Sequence, residues 1–391
     1  MNVKTFFREK CPSFPLLRKA MTSVKLSEFN RYIIPQTEVA QGEINIEIKA
    51  SIVKKYASRW SDYTISVDEK IDELIRRAAV YQNRADIDRI KTDMRFCRFA
   101  YGFQPDEYLV FHLEEKSMEE RQVFVSDIER FRYVYRMNDI IDMGIYFDKY
   151  RTYQRFKQYY RREAIEISKP GHFERFQTFV RKHPVFVKKR VGLSKGESVS
   201  LINIKECGCT ERALFDTLIK QGKHILEEKV EQGAVMAALN PSSVNTVRCI
   251  TFNTKKGIVI PFCFLKVGQK GSFVDNGGAG GILIGVNVAT GCLATDGFDE
   301  FGVRYFAHPE TGTRFMEFHL PDWQEVLELC VELSACTPTV KYIGWDLAYT
   351  EEGWIVIEGN GGGQMIVPQI VWEHGIKAEV DAIICNMELL R

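Results

Sequence analysis

The segment YIGWDLAYTEEGWIVIEGN, running from Tyr342 to Asn360, has little freedom in how it can fold. β-Branched and aromatic residues alternate with small or polar ones on either side of Thr350-Glu351-Glu352-Gly353, the pattern of two strands joined by a tight turn. Alternation puts Ile343, Trp345 and Leu347 on one face and Gly344, Asp346 and Ala348 on the other; on the return strand Ile355 and Ile357 oppose Val356, Glu358 and Asn360. A hairpin symmetric about Glu352 sets Asp346 opposite Glu358, with Cβ atoms about 5 Å apart. Two like charges there repel. A divalent cation turns that repulsion into binding, because magnesium prefers carboxylate oxygens and accepts an amide oxygen such as that of Asn360. Two solvated acids on a surface hairpin are the ordinary alternative. The strands are otherwise apolar, however, and the second runs into Gly359-Asn360-Gly361-Gly362-Gly363, where backbone can approach a ligand closely. The hairpin is therefore predicted to hold Mg2+, with Mn2+ as an alternative ion, on Asp346, Glu358 and Asn360.

A chain of 391 residues exceeds the size at which one hydrophobic core stops growing, so two or three subdomains are expected. With 53 Lys and Arg against 52 Asp and Glu, the net charge of +1 gives no global reason to expect a nucleic acid partner. The stretch MNVKTFFREKCPSFPLLRKA is too short in its apolar part, and too interrupted by Pro12 and Pro15, for a signal peptide or a membrane span. No transmembrane segment is expected, and the cytoplasm is the predicted location. Cys207-x-Cys209 has no second Cys or His pair at zinc-like spacing, so reduced thiols are the expectation there.

From about 60 to 165 the apolar positions recur at three- and four-residue intervals among acid-base pairs, which predicts helices. The basic and aromatic run from Lys149 to Arg162 reads as an amphipathic helix with solvated arginines rather than an RNA contact. From about 185 onward short strand-like runs replace the helices, among them PVFVKKR, NTVRCITFN and GIVIPFCFLKVG. Helices first and strands after predict an α+β chain.

The spacing Asp-x11-Glu-x-Asn near the end of the chain resembles that of ATP-grasp ligases, and earlier segments follow that family's order. Lys149 in Phe147-Asp148-Lys149 resembles the family's first phosphate-contacting lysine, and Lys188 in Val185-Phe186-Val187-Lys188 the second. The phosphate loop is then Val191 to Ser198, with Gly192, Ser194 and Gly196; it departs from the family in having fewer glycines, Lys189 where proline is common, and one extra residue before the next strand. Ile225 to Val230 resembles the strand along which the family holds adenine. The resemblance implies Glu227, Glu228 and Val230 at the adenine, and Glu231, or equally Gln232, at the ribose. Asn245-Thr246-Val247-Arg248 places Asn245 and Arg248 near the phosphates, where a planar guanidinium suits bidentate contact. Lys266 and the Asp275-Asn276-Gly277-Gly278 loop complete the set, with Arg248, Lys266 and Asn276 expected to act on the reacting groups. His308 reads either as a substrate contact or as a structural histidine in a turn.

The segments NPSSVNTVR, DNGGAGG, HPETG, GWDLA and EGNGGG are together similar to the sugar-transfer-associated branch of ATP-grasp, a resemblance covering roughly 140 to 370. It implies an ATP-grasp fold, two α+β subdomains gripping ATP, at 141–232 and 233–391, preceded by a mostly helical region at 1–140. That helical region departs from the α/β domain usual before ATP-grasp. The implied activity is ATP-dependent carboxylate-amine ligation through an acylphosphate, on small-molecule or saccharide-linked carboxylates and amines, in surface polysaccharide synthesis. A phosphotransferase on the same fold and a non-catalytic nucleotide-binding subunit are the rival readings. A homo-oligomer is left open.

Overall fold

The computed structural model describes residues 15–39, 44–191, 199–269, 271, 272, 275 and 280–387. Within them the chain is α+β, with helices first. Helices Pro15–Asn30, Ile46–Arg59, Ser61–Arg77, Ile87–Tyr101 and Asp127–Met137 build the N-terminal region. Four of them bury a stripe at helical spacing, such as Val67, Ile71 and Leu74 on Ser61–Arg77, while Pro15–Asn30 has no fully buried residue among those described. One polar cluster lies inside: Asp93 accepts from Lys49 at 2.7 Å, Arg121 at 2.8 Å and Tyr108 at 2.7 Å. Among the described residues no helix is long and apolar enough to cross a membrane.

Two antiparallel sheets follow. The first holds β1 (Ala164–Ile167), β2 (Val185–Arg190), β3 (Val199–Asn203) and β4 (His224–Glu228) in the order β1-β4-β2-β3. Helices Phe173–Lys182 and Glu211–Gln221 close one of its faces over a small core of Ile167, Phe176, Phe186, Phe215 and Leu226. The second comprises β5 (Thr246–Thr254), β6 (Gly257–Val267), β7 (Ile282–Val286), β8 (Leu293–Phe298), β9 (Arg304–Tyr305), β10 (Tyr342–Thr350) and β11 (Gly353–Asn360), in the order β11-β10-β5-β6-β7-β8-β9.

The N-terminal helices do not pack as a separate unit. A single hydrophobic cluster runs from Ile34 and Tyr56 through Phe99 and Val134 into Val247, Trp345 and Val380 of the seven-stranded body. Helix Lys149–Tyr160 is fixed beside β11 because Asp148 caps its first turn, accepting from the N–H groups of Tyr150 and Arg151. Its Phe156, where the helix kinks, packs edge-on against the buried Trp345 at 5.1 Å. Burying side chains of this size contributes roughly 2–3 kcal/mol each, so the position of Lys149 at the helix start is inherited from the core.

Candidate functional site

The hairpin turns through two residues, Glu351 and Glu352, with Thr350 opposite Gly353. Gly353 has φ +98, which a side chain would strain. Counted from such a turn, Asp346 would face Ile357. The register instead steps between Asp346 and Leu347: Leu347 pairs with Val356, and Asp346 with Glu358. Ile357 is therefore the extra residue of a β-bulge. Asp346 and Glu358 do lie opposite one another, but the symmetric turn expected from the sequence is replaced by a tighter turn plus a bulge. The bulge also corrects the predicted faces, because Val356 sits across from Leu347 and is buried, on the side away from Glu358.

Neither acid faces water unpaired. Asp346 accepts from Arg248 Nε and Nη2, each at 2.5 Å, and lies 3.2 Å from Lys266 Nζ. Burial alone would raise its carboxyl, but Arg248 and then Lys266 outweigh it and hold Asp346 at about 2. Arg248 is pushed upward in turn: its burial disfavours the charge, and Asp346 more than compensates. Register places these groups together, since Arg248 on β5 pairs directly with Asp346 on β10. Gly344 leaves the room, for a Cβ there would sit 3.0 Å from Arg248 Cδ. Lys149 Nζ donates to Glu358 Oε1 at 2.8 Å. Asp275, raised chiefly by burial, lies 4.0 Å from Lys266 and accepts from Thr246 Oγ1. Asn360 carries a buried amide nitrogen with no hydrogen-bond partner among the described residues. The nitrogen and oxygen of a carboxamide exchange by rotation, so this side chain can turn an oxygen toward a cation at no loss of hydrogen bonding.

Among the described residues no group of three or more His, Cys, Asp or Glu has metal-holding geometry. Two carboxylates and an amide nonetheless fit Mg2+, which keeps waters and phosphate oxygens in its shell rather than a full protein cage. The Cys207 and Cys209 thiols are free, with sulfurs 3.5 Å apart.

Strand β4, expected from the resemblance to hold adenine, is tied into the protein through its own side chains. Glu227 is buried, accepting from Arg162 Nη2 at 2.6 Å and pairing with Lys189 at 2.8 Å. Burial would raise it; Lys189 first and Arg162 next pull it down to about 2. Strand pairing puts Glu227 opposite Val187, one residue before Lys188, so Lys189 shares Glu227's face. Lys188 pairs with Leu226, in the row with Phe186 that the two covering helices close. Lys188, expected as the second phosphate lysine, thus stands on the face of the sheet opposite Glu227, and Lys189 on the same face as Glu227. Two adjacent lysines in a strand of period two hide this parity. The N–H of Glu228 is taken by Glu163 O at 2.9 Å, while that of Val230 has no hydrogen bond among the described residues. Glu231 is exposed and paired to Lys229. Gln232 is excluded as a ribose ligand, its amide being spent on Asn240 O, Ser243 O and the Asn245 N–H.

Asn245 is corrected likewise. Fully buried, it donates to Met236 O and Asn240 O and accepts from Ser243 Oγ, which knits its own loop and leaves nothing for a phosphate. His308 is a buried turn residue held by Gly268 O at 2.9 Å, the structural of its two readings. Gly192, Ser194, Gly196 and Asn276 lie outside the described residues.

Sequence reasoning missed the contacts around Gly361-Gly362-Gly363. Asn138 donates to Gly361 O at 2.6 Å, Arg130 to Gly362 O at 2.5 Å and Tyr342 to Gly363 O at 3.1 Å. The N-terminal helices thereby hold the backbone that follows Asn360. No local signal in the sequence links residues so far apart.

Residues 164–384 match the family model described as sugar-transfer associated ATP-grasp. The chain belongs to this family. The match spans both sheets, β4 and the β10–β11 hairpin included, and ends in the C-terminal helix Lys377–Cys385. No curated protein sequence matches. Among solved structures, the ATP-grasp ligase PsnB complexed with a minimal precursor aligns with this ATP-grasp chain at 11% identity and TM-score 0.40, over 64% of each chain. The D-alanine-D-alanine ligase from Coxiella burnetii aligns at 8% identity and TM-score 0.38, over 64% of this chain and 59% of its own. The corresponding ligase from Bacillus anthracis gives 14% identity and TM-score 0.37, over 64% and 69%. The family assignment rests on the sequence match.

Proposed function

We propose that the chain is an ATP-dependent carboxylate-amine ligase working through an acylphosphate. The observation that carries this reading is the cluster on one bulged hairpin in which buried Asp346 pairs with Arg248 and Lys266 and half-buried Glu358 pairs with Lys149. Three cations and two carboxylates held so closely form a site that exchanges partners on binding. Asp346, Glu358 and an Asn360 oxygen would hold Mg2+, which when bound supplies charge neutralisation and a fixed frame for phosphate oxygens. The cations those acids release then face the triphosphate: Arg248 as a bidentate fork, Lys149 and Lys266 as point charges. Lys189, on the same face of the first sheet as Glu227, would reach the nucleotide, with the Glu228 carbonyl and the Val230 N–H at the adenine edge and Glu231 at the ribose. Subdomains 141–232 and 233–391 would close on ATP from either side.

A substrate carboxylate oxygen attacks the γ-phosphorus and ADP leaves; an amine nitrogen then attacks the acyl carbon, phosphate leaves and one proton is released. Positioning and charge stabilisation supply the rate in the first step. The family's sugar-transfer association points to saccharide-linked acceptors in surface polysaccharide synthesis, in the cytoplasm where ATP is available. The experiment is incubation with ATP, Mg2+, a panel of sugar acids and amines, and hydroxylamine. Hydroxamate formation with stoichiometric ADP and phosphate supports the acylphosphate. A stable phosphorylated product without hydroxamate would make the protein a kinase instead, and nucleotide binding without turnover on any panel member would leave it a binding subunit.

A further inference from the structure

Arg162 joins the two halves of the site. It lies at the end of the basic run after helix Lys149–Tyr160, is nine-tenths buried, and stacks over Tyr160 at 4.6 Å. Toward the first sheet, its Nε and Nη2 donate to the same oxygen of Glu227, at 3.0 and 2.6 Å. Toward the second, its Nη1 donates to Val356 O at 2.6 Å, and its Nη2 more loosely to Ile357 O at 3.4 Å. Those two carbonyls belong to the bulge. A bulge leaves backbone groups without ladder partners, and a buried carbonyl left unpaired costs about 1–3 kcal/mol. Arg162 satisfies them, and with its remaining donors holds the carboxylate of the adenine strand. A planar fork can do both at once; a lysine ammonium on a flexible stem cannot span the two partners with fixed geometry.

Without the bulge, Asp346 would face Ile357 and Glu358 would turn to the opposite side of the strand. The geometry points to Arg162 as a positioning residue: by holding the bulge open it sets Glu358 across from Asp346, and through Glu227 it couples the adenine strand to the metal hairpin. This rests on the nucleotide reading above. It adds that occupancy of the adenine strand and order of the metal hairpin are linked through one side chain that touches neither ligand.

The test compares the full-length wild type with R162K and R162Q. Hydrogen exchange is followed with and without saturating adenosine, which has no phosphates to reach the hairpin. In the wild type, adenosine should slow exchange in β4 and at 356–359; in R162K it should slow β4 alone. Mn2+ affinity of the ATP-bound protein, read by electron paramagnetic resonance, should fall about tenfold or more in R162K, while ATP affinity in EDTA changes by less than roughly threefold. A role confined to stability would lower the melting temperature and leave that difference between Mn2+ and ATP unmoved. The proposal is overturned if the wild-type hairpin shows no response to adenosine while β4 does, if Mn2+ affinity is unchanged in both variants, or if both variants fail to fold. Absence of adenosine protection in β4 itself would instead remove the nucleotide reading, and this inference with it.

Discussion

Asp346→Asn separates two roles that one carboxylate can play. If Asp346 were only a metal ligand, the metal-free protein would be indifferent to the change, or even relieved of repulsion with Glu358. The structure makes the opposite demand. Asp346 is the bidentate counter-ion of Arg248 and the nearest acid to Lys266, and both cations are largely buried. Its carboxyl is held near 2 against an ordinary 3.8, a difference worth roughly 2–3 kcal/mol at 1.36 kcal/mol per unit. Removing the charge also strands two buried cations, and breaking a buried pair from one side costs about 3–5 kcal/mol. Asp346→Asn is therefore expected to lower the unfolding free energy in EDTA by about 3–5 kcal/mol, read from urea titrations followed by tryptophan fluorescence. A loss below about 1 kcal/mol would refute the reasoning, because it would mean that Arg248 and Lys266 do not depend on Asp346 before any ligand arrives.

Other measurements probe the remaining contacts. Lys189→Met should weaken ATP binding, measured calorimetrically, by about tenfold or more, whereas Lys188→Met should change it by less than about threefold, since a phosphate contact is charge-assisted and Lys188 stands on the other face. Asn138→Ala removes both donors to Tyr342 O and Gly361 O and the acceptor for Tyr342 N; at about 1–3 kcal/mol per stranded buried group, a total loss of roughly 3–5 kcal/mol is expected in chemical denaturation. Asp346 and Glu227 both have folded values depressed to about 2. Their contribution is thus complete above the ordinary carboxylate range and lost as pH falls from about 4 toward 2. Between those values the Asp346→Asn protein should take up about one proton fewer on unfolding than the wild type, as measured from the pH slope of stability.

The features legible in the sequence were those carried by short-range pattern. Period-two alternation located the hairpin, helical periodicity the N-terminal region, and a pair of acids with a following amide the candidate metal ligands. Pattern alone failed where one residue of offset mattered. The bulge at Ile357 has no signature, because an extra apolar residue in an apolar strand looks like more strand. The expected Asp346–Glu358 pairing thus came from a symmetric turn that does not form. The same one-residue offset, in VKK, decides which lysine shares a face with Glu227. Asn245 looked like a site residue because it precedes Arg248, yet an asparagine in a loop has the loop's own carbonyls as nearer partners.

A different limit applies to Arg162, Asn138 and Arg130. Arg162 read as a solvated charge at the end of an amphipathic helix, and the carbonyls that Arg162, Asn138 and Arg130 bond lie about two hundred residues away. Their carbonyl partners carry no side-chain identity that a sequence could show. The charge pattern also hid a duality. From sequence, Asp346 and Glu358 read as ligands, and Arg248 and Lys149 as phosphate contacts, four roles awaiting ATP and a cation. In the structure the same four residues satisfy one another. Buried charges must be paired in every populated state, so a site built for a metal and a triphosphate keeps internal stand-ins for both. Each basic residue takes the cation's place on a carboxylate, and each carboxylate the phosphate's place on a base. Binding is then an exchange of partners of equal charge, and affinity reflects the difference between two satisfied arrangements. By that logic, neutralising one acid and its paired base together, as in Lys149→Met with Glu358→Gln, should disturb the unliganded fold less than either change alone. It should abolish the metal site all the same, and a double-mutant cycle on stability in EDTA measures the difference.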